Sequence, residues 1–194
     1  TELSQALTRL TKEDKLIDLY ILTHGSNDFI SVAGGIDGNN IRQIRKDNGN
    51  HPIRLRSVYM MNCIGSSLNQ AWLDAGARVS SGAVRNNYLP EPSMFFFWSN
   101  WKNGQSFNDA VTNAYLQTIN TIKAMIQAAG DVIPGGGAIA NAIADIDNAD
   151  FVKDSAPVIQ GDGALTINSD SLSFTQSTKR SRLAVTVMSV GAVG

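Results

Sequence analysis

The run Leu16-Ile17-Asp18-Leu19-Tyr20-Ile21-Leu22 is nearly continuous in apolar and β-favouring residues and stops at Thr23-His24-Gly25. A second such segment, Leu55 to Met61, stops at Asn62-Cys63. Segments of this kind predict strands covered on both faces, as parallel sheets contain. Before the first strand, Leu3, Ala6, Leu7 and Leu10 share one face of a short amphipathic helix. Between the two strands, Phe29-Ile30-Ser31-Val32, Gly34-Gly35 and Ile36-Asp37-Gly38 predict a small hairpin. A helix with Asn39 or Asn40 as its cap then runs to Lys46, and residues 47–52 are turn material. Beyond Cys63, Ser66 or Ser67 caps a helix through Ala75, Gly76 ends it, and residues 77–84 predict a third strand. Strand, helix, strand at this spacing is a βαβ crossover, hence an α/β fold with a parallel sheet.

Residues 85–103 read as an aromatic-rich connection carrying Tyr88, Phe95, Phe96, Phe97, Trp98 and Trp101. Ser106 and Asp109 have capping-box spacing, and Phe107, Val111, Ala114, Thr118, Ile119, Ile122 and Ile126 keep a helical period. That long helix is expected to cover one face of the sheet. Past Gly130 the pattern weakens: Pro134-Gly135-Gly136-Gly137 breaks the chain, and strands are predicted at residues 164–167 and 183–188. The chain thus divides into a core, 1–129, and an extension, 130–194, consisting of linker plus strands that complete the same domain.

Composition narrows the function classes. A hydrophobic fraction of 43% in 194 residues supports a core without disulfide or metal staples. A formal net charge of -1 gives no electrostatic reason to expect nucleic acid as a partner. No apolar run reaches membrane-spanning length, so no membrane span is expected. The first residues have neither a basic nor an apolar leader region, and the missing initiator Met points to a processed or truncated N-terminus, which leaves localisation open. The single cysteine rules out an intrachain disulfide. Two histidines and one cysteine have no zinc-ligand spacing, and Gly135-Gly136-Gly137 lacks the Lys-Ser/Thr of a phosphate loop, so neither metal nor cofactor is expected. No Gly-x-Ser-x-Gly elbow is present.

Candidate chemistry gathers where the two long strands end. Functional groups of open α/β sheets collect beyond the carboxyl ends of the strands, and neighbouring strands lie about 4.8 Å apart. If these two strands are parallel neighbours, His24 and Cys63 emerge at the same edge. A free thiol, with a pKa near 8.5, is mostly protonated at neutral pH. An adjacent imidazole takes its proton and later protonates a leaving amine. Gly25 has no side chain to hinder a substrate's approach. Its N–H, with that of Cys63, would hold a tetrahedral oxyanion, one such donor lowering the barrier by roughly 3 kcal/mol.

The run Tyr20-Ile21-Leu22-Thr23-His24-Gly25, the glycine-containing hairpin ending Asp37-Gly38, and Val58-Tyr59-Met60-Met61-Asn62-Cys63-Ile64-Gly65 together resemble the caspase-like cysteine peptidases, which include caspases, metacaspases, clostripain and gingipains. The resemblance covers residues 16–84 well and 104–128 loosely. It implies a caspase-like three-layer α/β/α sandwich with a mostly parallel central sheet. It also implies a cysteine endopeptidase with His24 and Cys63 as dyad, Gly25 and Cys63 as oxyanion donors, and a polypeptide substrate with a polar or charged P1 residue. Gly65 falls where the caspase signature has glycine, whereas Ile64 replaces its Arg, Gln or Gly, which sets the chain apart from true caspases. Substrate contacts are expected from Asn62, Ser81, Gly82 and Arg85. The family core has a strand before the first helix; here that strand would lie upstream or be supplied by the C-terminal part. Self-processing would use residues 130–137 or 154–163 as flexible stretches. The alternatives are a catalytically silent caspase-like binding or scaffold module, and an α/β domain binding a small ligand at the sheet edge.

Overall fold

A computed structural model describes residues 1–132, 145–168 and 182–188. Strand β1 (Leu16–Leu22) is an inner strand of a five-stranded sheet. It pairs in parallel with β5 (Leu55–Met60), and β5 in parallel with β6 (Val79–Ala83). The edges are β7 (Pro157–Gly161), antiparallel to β6, and β8 (Arg182–Met188), parallel to β1, giving the order β7-β6-β5-β1-β8. The place beside β1 is thus taken by a C-terminal strand. The second, small sheet is antiparallel: β2 (His24–Ser26), β3 (Phe29–Ser31) and β4 (Ile36–Asp37).

Alternation along the strands separates two apolar layers. Ile17, Leu19, Ile21, Val58 and Met60 face one side, where they meet Leu7 and Leu10 of α1 (Glu2–Lys12), Ile41 and Ile44 of α2 (Gly38–Asp47), and Trp72 of α3 (Asn69–Ala75). Tyr20, Tyr59, Met61 and Val79 face the other. There they meet Phe97 and Trp101 of α4 (Pro90–Lys102) and Phe107, Val111 and Ala114 of α5 (Phe107–Val132). Helix, sheet and helix make three layers around a mostly parallel sheet. Among the described residues no helix is long and apolar enough to cross a membrane.

The structure departs from the sequence expectations in three places. Residues 85–103 are not merely a connection, because Pro90 to Lys102 form α4. Its aromatics fall on several faces, so no amphipathic period marks it. The overlooked signal is Pro90 in the first helical turn, where a missing N–H costs nothing. The strand expected at 164–167 is reduced to one bridge, Thr166 to Ser106, and Leu165 instead buries itself in the α4–α5 layer and accepts a bond from the Phe107 N–H (2.6 Å). Residues 154–163, expected as a flexible stretch, contain β7, whose leading proline suits an edge strand. Residues 130–132 belong to α5, and the rest of the other expected stretch, 133–137, lies outside the described residues. A smaller shift concerns α2, which is capped by Asp37 in a reciprocal box with Asn40 and so begins earlier than expected.

Candidate active site

Two strands deliver the site. Ile21 of β1 and Met60 of β5 are register partners, and the Met61 N–H donates to the Ile21 carbonyl at 2.7 Å. His24 stands three residues beyond Ile21 and Cys63 three beyond Met60, so both leave the sheet at its carboxyl end from matched positions. His24, exposed, opens the small sheet opposite Ser31, and Thr23 Oγ1 donates to the Ser31 carbonyl at 2.9 Å. Cys63 is half-buried.

The chain turns sharply after Cys63. Ile64 has φ +52°, a left-handed conformation that a β-branched residue rarely adopts. Three bonds hold it there. Its N–H donates to the Arg85 carbonyl (2.6 Å), and its carbonyl accepts from the Ser67 N–H (3.0 Å) and from Ser67 Oγ (2.7 Å). Ser67 Oγ also accepts from the N–H of Asp28 at 2.8 Å. One hydroxyl therefore ties the tip of the His24 hairpin to the Cys63 turn. The sequence offers Ser67 only as a cap for α3, which Leu68 precedes without a side-chain cap bond, and does not single out Asp28, since the bond needs a tertiary approach that no local pattern encodes.

Two glycines make that approach possible. A Cβ on Gly82 of β6 would lie 2.4 Å from the Gly65 carbonyl carbon and 2.5 Å from the Ser66 nitrogen, so the Cys63 turn rests directly on β6. A Cβ on Gly25 would lie 2.5 Å from Asn62 Nδ2. The space beside Gly25 is thus filled by Asn62 on that side, rather than left open for a substrate as the sequence suggested.

Three of the four expected substrate contacts are closed to solvent. Asn62 and Ser81 are completely buried, and Gly82 is buried beneath the turn. Asn62 lies directly against Cys63, and Gly82 lies under the Gly65–Ser66 backbone that follows it. Arg85 alone is exposed, with its Nη1 4.0 Å from Asp154 Oδ1. Within the described residues, Asn62 Oδ1 and Ser81 Oγ make no hydrogen bond, which leaves unmet acceptor capacity there.

A cavity of about 560 Å³ lies between α1 and the small sheet, lined by Leu3, Ile21, Thr23, Ile30, Val32 and Ile36 among others, with Cys63 outside its wall. Among the described residues no cluster of His, Cys, Asp and Glu is placed to hold a metal ion. No protein-family model matches the chain, and no curated protein matches it.

Proposed function

We propose that the protein is a cysteine endopeptidase of caspase-like architecture, with Cys63 as nucleophile and His24 as base. One observation carries the reading: an imidazole and the single thiol leave matched register positions of adjacent parallel strands, and the Asp28–Ser67–Ile64 bonds join the segments that bear them. In the reaction, Cys63 Sγ attacks the scissile carbonyl while His24 receives the thiol proton. His24 then hands that proton to the departing amine, and water hydrolyses the acyl-enzyme, regenerating the thiol. The N–H groups of Gly25 and Cys63 stabilise the oxyanion. The substrate is a polypeptide whose P1 residue, by the resemblance, is polar or charged, and Arg85 is the one expected contact that is exposed.

Cys63→Ala is expected to abolish both peptide cleavage and labelling by a thiol-reactive peptidyl probe. Undiminished cleavage by that variant would overturn the assignment. The burial of Ser81 and Gly82 favours a second reading, a catalytically silent caspase-like binding module, because the pocket floor implied by the resemblance is closed. That module would cut no member of a peptide library, and its Cys63 would resist alkylators at neutral pH.

A further inference from the structure

Asn62 is 0% exposed and lies against both segments of the candidate site. Its Nδ2 donates to the Cys63 carbonyl at 3.2 Å. Its Nδ2 and Cβ lie 2.5 and 2.9 Å from where a Cβ of Gly25 would be, immediately after His24. Its Oδ1 lies 3.0 Å from where a Cβ of Gly65 would be, two residues after Cys63. The glycines of the His24-Gly25 and Cys63-Ile64-Gly65 motifs therefore both face the same buried amide. Packing alone does not call for an amide at this position. A buried carboxamide whose oxygen has no partner among the described residues costs free energy that an apolar residue of similar size would not. Its donor reaches the peptide group of Cys63, and its bulk sets how closely the two segments approach.

We infer that Asn62 is a positioning residue that fixes the separation of His24 and Cys63, a role that rests on the dyad reading above. The wedge sets the distance between the segments, and the Nδ2 bond orients the Cys63–Ile64 peptide group and with it the Cys63 backbone. Misplacement of reacting groups by about 1 Å can cost about a hundredfold in rate.

The test uses the full chain, in which Cys63 is the one cysteine, so that iodoacetamide consumption reports this thiol alone. The pH profile of the alkylation rate is expected to depend on the neighbouring imidazole, so His24→Ala should displace it. Asn62→Ala should move it in the same direction, with kcat lowered about tenfold or more and KM changed less than about threefold. Near-UV circular dichroism confirms that the variant is folded. Should Asn62→Ala not fold, Asn62→Asp keeps the shape but cannot donate to the Cys63 carbonyl, and it should displace the profile likewise. Gly25→Ala, which drives a methyl into Asn62 and against the Phe29 carbonyl, should also displace the profile, and combining it with Asn62→Ala should do less than the two effects summed. A folded Asn62→Ala, or failing that Asn62→Asp, with the wild-type profile while His24→Ala still shifts it would overturn the role of Asn62 alone. A wild-type profile in His24→Ala would instead remove the dyad, and the positioning role with it.

Discussion

Two polar clusters of the central sheet, one near each end, satisfy their groups in opposite ways. Near the amino end, Asp18 and Arg56, 6% and 4% exposed, form a buried ion pair. Arg56 Nε donates to Asp18 Oδ1 at 2.8 Å, Ser57 Oγ donates to the same oxygen at 2.7 Å, and Trp101 Nε1 donates to Oδ2 at 3.4 Å. Arg56 also donates to the Ile167 carbonyl and lies over the Trp101 ring. The geometry comes from a bulge. Ile17 pairs with Leu55 but Asp18 with Ser57, so Arg56 is the extra residue, and it joins Ser57 on the side where Asp18 sits. At the carboxyl end, by contrast, Cys63 sits in a turn with a strained Ile64, and two buried acceptors, Asn62 Oδ1 and Ser81 Oγ, lack partners among the described residues. Saturated polar networks hold one arrangement, whereas strain and unmet hydrogen-bonding capacity collect where chemistry is done. The contrast sets the satisfied Asp18–Arg56 cluster near one end of the sheet against the candidate site at the other, although Asp14 Oδ2 and Arg78 Nη1 near the amino end also lack hydrogen-bond partners among the described residues.

The largest test of that division is Asp18→Ala. It leaves Arg56 buried without its counter-charge, and a loss of about 3–5 kcal/mol is expected in denaturant unfolding. Replacing both partners with apolar residues of similar size should restore most of that stability. If the single variant were as stable as the wild type, the amino end would not be the anchor.

Gly82→Ala strikes the other end. The added methyl meets the Gly65 and Ser66 backbone, which cannot step aside as a side chain would, and a loss of about 3 kcal/mol is expected. It should also displace the Cys63 turn, so peptide cleavage should fall even where circular dichroism shows the fold intact. Ser67→Ala is milder: it removes two hydrogen bonds and should cost about 1–2 kcal/mol. Because those bonds couple the His24 hairpin to the Cys63 turn, kcat/KM should drop about tenfold. Asp18→Ala, assayed at a temperature where it remains folded, should leave kcat/KM nearly unchanged. Equal kinetic losses from Ser67→Ala and Asp18→Ala would erase the distinction between the ends.

Legibility in the sequence followed the same divide. The bounds of β1 follow from a nearly continuous apolar run, a property of that segment alone, and the parallel sheet from the order of strand, helix and strand. The amino-end ion pair was missed although its signal was present: opposite charges, Asp18 and Arg56, sit inside two buried strands expected to be neighbours. The burial of three expected substrate contacts was illegible for a different reason. Whether Asn62, Ser81 and Gly82 face solvent or β-sheet interior depends on how the Cys63 turn folds back over β6, and that turn depends on a left-handed Ile64 which no propensity predicts. The helix α4 was hidden by its aromatics, of which Phe97 and Trp101 are buried while Phe95 stays 69% exposed.

The smallest expected effect sharpens the comparison through solvent. Asp74 on α3 receives bonds from Arg42 Nε and Gln70 Nε2, both at 2.8 Å, while Arg45 Nη1 donates to its backbone carbonyl at 3.0 Å. The Arg42 hydrogen bond, then that of Gln70, hold its carboxyl below the ordinary carboxylate value, against a small opposing effect of burial. A depressed carboxyl stabilises the fold fully above its unfolded pKa and loses that contribution as pH falls through its folded value. Asp74→Asn should therefore be less stable than the wild type at pH 7, by under about 1 kcal/mol because the pair is well exposed, and the difference should vanish toward the acid end. Salt separates this clamp from the buried pair: at 1 M the Debye length is about 3 Å, so the Asp74→Asn difference should shrink while that of Asp18→Ala persists. A salt response equally large for both would mean that water reaches the Asp18–Arg56 pair, and the amino end would then be no more sealed than the helical surface.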